Sequence, residues 1–340
     1  MIRYLVKFVA VTLAAVILHI SIILYLPGPI TAEYWVRGDL IVKHDLAAQI
    51  TEPKIVFLSG SGTLFNVDAA RISEAYKRPV VNFGLHAAMR LERLLSVAPP
   101  VMKRGDILVL PLEQLYFQCE KNSWTEWDLR NGRAWDAEYF DALPLTQRVK
   151  AVFDASPPTL SAEILIAWLQ KIFMPERVSE RLAALAPAPS ILNDYRSGEH
   201  RSASFSHSPN NLDAFGSITN HVGAFFKGAP VVSTSPGAIC DTTKTYLKNY
   251  VTDMRARGVT VVIAYAPYLT DKTPDVSWSA EDKLFRRDIA EIGTTIIGKR
   301  SDMFYSRKLF FNTNLHLNKE GQAIYTTSMI ENLKPVIGYR

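Results

Sequence analysis

The chain has 340 residues, 48% of them hydrophobic and 21% charged, a balance that excludes a disordered chain and leaves room for one large domain or two small ones. Its 17 Gly and 19 Pro exclude collagen-like and low-complexity sequence, and its two cysteines, Cys119 and Cys240, exclude a disulfide scaffold and any multi-cysteine zinc or iron–sulfur centre. The 38 basic residues barely outnumber the 33 acidic ones and form no dense run, so nucleic acid is not an expected partner.

The first element is a run of 19 residues without formal charge, Phe8 to Leu26. As a helix it spans about 28 Å, the hydrocarbon thickness of a bilayer. Arg3 and Lys7 precede it, and the positive-inside bias then places the N-terminus in the cytoplasm. The expectation is a single-pass protein of the inner (cytoplasmic) membrane, anchored through residues 8–26, with its soluble domain extracytoplasmic, in the periplasm. The rival is a cleaved signal peptide. Signal cores run about 7–15 residues, and this one is longer, so an uncleaved anchor is preferred. Pro27-Gly28-Pro29 ends the helix. His19 reads as a packed or tolerated residue rather than a proton relay. Residues 1–30 are thus an anchor, 31–51 a stalk, and 52–340 the folded domain.

Within that domain, Lys54–Leu58 is a β-rich run ending in Ser59-Gly60-Ser61-Gly62, followed by a helical pattern through Tyr76. Pro79–Phe83 is a second buried strand, ended by Gly84, and His86–Val97 reads as a helix. Ile107–Leu112 is a third strand. After a break the alternation resumes: helix Thr243–Arg257, strand Val259–Tyr265, helix Ala280–Ile292 capped by Ser279, a weak strand Thr295–Ile297, and a closing helix Leu317–Leu333. Strands alternating with helices at this spacing predict βαβ units and a parallel sheet in an α/β domain. Residues 116–240 break the pattern, with four of the six Trp and a polar run from Asn193 to Asn220. Such an insertion reads either as a cap or binding element, or as a solvated excursion. Cys119 and Cys240 flank it, and whether they pair is left open.

Ser61 follows the first strand, between two glycines and before a helix. Ligands of open α/β sheets bind at the carboxyl ends of strands. The glycines admit close backbone approach, and the backbone N–H groups there face a developing oxyanion. This is a seat for a nucleophile, although Ser59 stands where a nucleophile elbow has its first Gly. A plain strand-to-helix turn is the bland alternative. Near the other end, Phe311-Asn312-Thr313-Asn314-Leu315-His316-Leu317-Asn318 sets a histidine just before a helix. A base for Ser61 must reach its hydroxyl and have its own ring oriented by a third group.

At these residues the sequence resembles the SGNH/GDSL hydrolase family, over roughly residues 52–115 and 240–332. IVFLSGSGTLFNVDA resembles its first block, which supplies the nucleophile, here Ser61. VVNFGLHA resembles the second, whose Gly, here Gly84, donates a backbone N–H to the oxyanion hole together with that of Ser61. FNTNLHLNKEG resembles the last block, placing the base on His316 and the orienting residue on Asn312. The resemblance implies a three-layer flavodoxin-like sheet of about five parallel strands with helices on both faces. It is best to the membrane-anchored branch that acylates cell-surface polysaccharides, such as alginate O-acetylation and teichoic-acid D-alanylation proteins. It therefore implies acyl transfer, with acetyl the expected group, to an exported polysaccharide, or ester hydrolysis on one. It also implies a membrane O-acyltransferase as partner, and neither cofactor nor metal.

Two departures matter. Asn312 stands where the family has Asp, and an amide orients an imidazole without stabilising its cation. The third block, Gly-x-Asn-Asp, is missing; Glu113 and Gln114 fall where its oxyanion Asn belongs. The alternative function is therefore a catalytically degenerate member that binds polysaccharide or scaffolds a membrane assembly. Asn82, His86, Glu113 and Tyr268 are candidate substrate contacts. Their bland readings are a loop tie, a helix-start histidine, a buried paired carboxylate and a packed rim aromatic.

Overall fold

The computed structural model describes residues 1–223, 226–229, 237–271 and 277–338. It divides into two compact units, Met1–Arg37 with Ser123–Ser190, and Gly38–Asn122 with Ile191–Arg340.

The larger unit is built on the expected parallel sheet. Strands β1 (Ile55–Phe57), β2 (Val80–Asn82), β3 (Ile107–Leu110), β4 (Thr260–Ala264) and β6 (Thr295–Ile297) pair in the order β2-β1-β3-β4-β6, all parallel. Two further short strands, β5 (Tyr268–Leu269) and β7 (Phe304–Tyr305), pair with each other. Every residue of β1, β2 and β3 is buried, as expected of strands covered on both faces. At the amino ends of β1 and β3, Lys54 and Asp106 form a fully buried ion pair at 2.8 Å. Asp106 also accepts the Lys54 N–H, so both charges are hydrogen-bonded where water is excluded.

Several sequence-based boundaries move. The pattern after β1 is two helices, Ser61–Asn66 and Ala69–Tyr76, because Asp68 caps the second by accepting from Arg71 N at 3.1 Å. The helix expected over His86–Val97 is only Leu91–Ser96. Ser279 lies inside the helix Ser277–Ile292 rather than capping it. The closing helix runs Lys319–Ile337 from an Asn318 cap, whose side chain accepts from Gly321 N at 3.0 Å.

The stalk over 31–51 is not a stalk. It is mostly a helix, Tyr34–Gln49, and Asp39, Val42, Lys43 and Ala47 are fully buried in the larger unit. The insertion over 116–240 is likewise not one excursion; part of it, residues 224–225 and 230–236, lies outside the described residues. Residues 123–190 belong to the smaller unit, whereas those from 191 return to the sheet domain. There the Phe215 carbonyl accepts from Asn82 N at 2.8 Å and Ser217 Oγ donates to Val67 O at 3.0 Å. The polar run is thus tied into the fold. Cys119 and Cys240 are joined as a disulfide, with Cα atoms 5.2 Å apart.

The smaller unit is helical. Its N-terminal helix, Ile2–Tyr25, is long and apolar enough to cross a membrane. The end of this helix packs with Ile30, Trp124, Leu129, Phe140, Leu160 and Ile164 into a core of its own.

Candidate active site

Ser61 opens the helix that follows β1 and is itself buried. The turn that presents it is held from the end of β3. Glu113, fully buried, accepts from Gly62 N at 2.8 Å, Gly60 N at 3.1 Å and the Ser59 hydroxyl. Burial pushes its carboxyl up, against the three donors that favour the ionised form. The glycines here are required by contact: a Cβ on Gly60 or Gly62 would sit 2.8 Å from Glu113 Oε1. Glu113 is therefore a positioning residue for the Ser61 turn and not a substrate contact. The loops after β1 and β3 leave the sheet where the strand order reverses, the place where α/β sheets form ligand crevices.

His316 reaches this region from the far end of the chain and is also buried. Its Nδ1 lies 2.8 Å from Asn312 Oδ1, the partner proposed from sequence. With a carbonyl oxygen as acceptor, the ring carries its proton on Nδ1 and keeps the Nε2 lone pair. Burial, then the nearby His207, His86 and His221, push His316 down to about 3. The ring stacks on Phe65, one turn after Ser61, with centroids 3.9 Å apart and planes 4° apart. Asn66 fastens the same helix to the histidine loop, donating to Leu315 O at 3.0 Å and accepting from Leu317 N at 2.7 Å. Gln322 adds a third tie, to Phe65 O at 2.8 Å. The Ser61 helix and the histidine loop are thus one clamped substructure. Among the described residues no hydrogen bond joins Ser61 Oγ to His316. Such bonds commonly close only when substrate is bound.

Gly84 is in place but does not do what the resemblance implies. Its N–H donates to Asn82 Oδ1 at 2.9 Å, so it is committed within the fold rather than free for an oxyanion. Its carbonyl accepts from the buried Lys43 ammonium at 2.5 Å. The residue must be glycine because a Cβ would meet Leu64 N at 2.1 Å. Asn82, fully buried, ties the region together through Nδ2 to Thr63 O at 2.9 Å and Val67 O at 3.0 Å, which excludes a substrate contact. The N–H of Ser61 itself is the expected oxyanion donor that carries no hydrogen bond among the described residues.

His86 Nδ1 accepts from Ala88 N at 3.0 Å, which stabilises its turn, and the ring is half-buried near His316. Tyr268 is buried in β5 with the Arg300 guanidinium 4.3 Å from its ring centre, so it packs inward instead of lining a cleft. Around Phe65 the structure adds residues that the sequence did not single out. Phe205, His207, His221 and Phe311 all lie within 6.2 Å of its ring centre. Two of these, Phe205 and His207, come from the polar run of the insertion and His221 directly follows it; only the fold brings them there. Among the described residues no three His, Cys, Asp or Glu side chains converge as a metal ion would need.

Neither protein-family models nor curated proteins match this chain.

Proposed function

We propose that this chain is an SGNH-type serine acyltransferase or esterase, built on a flavodoxin-like sheet and anchored in the inner membrane through residues 8–26. It works on an exported or cell-surface polysaccharide on the extracytoplasmic side, with a membrane O-acyltransferase supplying the acyl group. The observation that carries this reading is the clamp that holds His316, oriented by Asn312, against the helix opened by Ser61.

Ser61 Oγ attacks the acyl carbonyl while His316 Nε2 takes its proton. The carbonyl electrons move onto oxygen, which accepts a hydrogen bond from Ser61 N–H. The bond to the leaving group breaks and His316 returns the proton to it. A sugar hydroxyl, or water, then repeats the sequence on the acyl-serine and releases Ser61. Asn312 fixes the tautomer, and Glu113 fixes the turn.

A second reading, a degenerate member that binds polysaccharide or scaffolds an assembly, is favoured by two observations. His316 is pushed far below the range of an effective base, and the Gly84 N–H is occupied. Release of nitrophenolate from p-nitrophenyl acetate by the full chain in detergent, with a soluble oligosaccharide as acceptor, separates the two. Acyl transfer that disappears in Ser61→Ala and in His316→Ala, with the double variant no worse than either, supports catalysis. A rate unchanged in Ser61→Ala overturns the catalytic reading.

A further inference from the structure

The helix Leu160–Phe173 of the smaller unit is apolar on two opposite sides. Its inner side, Leu160, Ile164 and Ala167, is buried in the same core as Ile23, Leu24 and Ile30. The outer side carries Leu165, Ile166, Leu169, Ile172 and Phe173, spaced at i, i+1, i+4, i+7 and i+8, which is one helical stripe. These five are 38%, 54%, 38%, 50% and 72% exposed. In water alone, a contiguous stripe of this size has no reason to form.

We propose that this stripe is seated in the interface of the bilayer that Ile2–Tyr25 crosses, among lipid acyl chains. The proposal rests on reading that helix as the membrane anchor. Its support is continuity of surface. Ile2 to Leu18 are exposed along the anchor, about 25 Å of helix. His19 then hydrogen-bonds Ser161 Oγ at 2.8 Å and Ser156 Oγ at 2.7 Å, which sets the start of the second helix where the bare wall of the anchor ends. The stripe therefore begins where the lipid-facing surface stops. Charge fits the same placement. Glu163 is turned away, to Arg130 at 2.6 Å and Thr31 N at 3.3 Å. The Lys150–Asp154 pair on the helix before it, Leu145–Ala155, fits a place at headgroup level rather than in the hydrocarbon.

Because the only two cysteines are disulfide-bonded, an introduced cysteine is a unique thiol. Ile166→Cys and Ile172→Cys in the full chain, labelled with an environment-sensitive fluorophore, are compared in phosphatidylcholine/phosphatidylglycerol vesicles with and without doxyl-labelled lipid. Val11→Cys serves as the anchor reference and Glu138→Cys as the aqueous one. All four sites are at the surface, so the label displaces no core. The proposal predicts blue-shifted emission and doxyl quenching at positions 166 and 172, shallower than at 11, and neither at 138. Quenching at 11 with 166 and 172 as aqueous as 138 overturns the proposal, leaves the anchor standing, and turns the stripe over to a protein partner. No quenching at 11 overturns the anchor and the proposal together.

Discussion

Replacing Asn312 by Asp tests whether the site is a serviceable triad with a weak third member. In the structure Asn312 Oδ1 is 2.8 Å from His316 Nδ1, and Asn312 is exposed. A carboxylate at that position meets the imidazole directly while keeping its own hydration, so the fold loses little and the melting temperature should stay within a few degrees. His316 starts near 3 because burial and three neighbouring histidines oppose its cation. An adjacent carboxylate favours that cation, and each unit it restores is worth about 1.4 kcal/mol. Recovery of even two units is therefore about 2.7 kcal/mol, a gain of roughly 10² in kcat if it is expressed in the transition state. The upper bound is the factor of about 10⁴ by which an Asp-to-Asn change slows a serine-protease triad. The pH dependence follows the same sign. The base works only when neutral, so wild-type kcat/KM should stay flat as pH falls from 8 to about 4. In Asn312→Asp the acid limb should rise with the His316 pKa, and activity should fall as pH drops through it. The assay is nitrophenyl-ester turnover across pH, with His316 titrated by NMR in the same variant. A His316 pKa that rises while kcat stays constant would refute the assignment of His316 as the base.

Other consequences are equally specific. Glu113→Ala leaves the Ser59 hydroxyl and two backbone N–H groups buried without their acceptor, at about 1–3 kcal/mol each before relaxation, so urea unfolding should show a loss of several kcal/mol. Glu113→Gln, which keeps one acceptor oxygen, should recover part of that stability but little turnover, because the turn geometry needs both oxygens. His221 is fully buried, and burial together with the Lys319 ammonium pushes it down to about 4. Its folded pKa lies below its unfolded value near 6.5, so its contribution is intact above pH 6.5 and lost as pH falls toward 4. His221→Phe should therefore gain on the wild type by up to about 1.4 kcal/mol per pH unit between those limits, read as the difference in urea midpoints; a difference independent of pH contradicts the buried neutral imidazole.

The five-stranded sheet was legible because buried parallel strands announce themselves as short apolar runs between turn residues, and all five appear within two residues of their expected limits. The Ser61 turn and the His316–Asn312 pair were legible for a similar reason, since each is carried by a contiguous motif. Local pattern failed where long-range burial decides. The helix Tyr34–Gln49 carries Arg37, Asp39, Lys43, His44 and Asp45, a composition that reads as a solvated spacer. Yet Lys43 is buried because its ammonium finds the Gly84 carbonyl. Asn66 gives no sign in sequence of clamping a loop some 250 residues away, and neither do Phe205, His207 and His221 of surrounding Phe65. The Gly84 assignment shows the opposite error. The motif placed the right residue, but whether its N–H is free depends on Asn82, whose side chain turns back onto it.

The central claim is that Ser61 Oγ is a nucleophile activated by His316. The most direct measurement is intact mass and peptide mapping of the full chain after treatment with a fluorophosphonate. One adduct is expected, on Ser61, formed in the wild type, faster in Asn312→Asp, and absent in Ser61→Ala and His316→Ala. No adduct in any of these proteins, or an adduct that persists in Ser61→Ala, would contradict it.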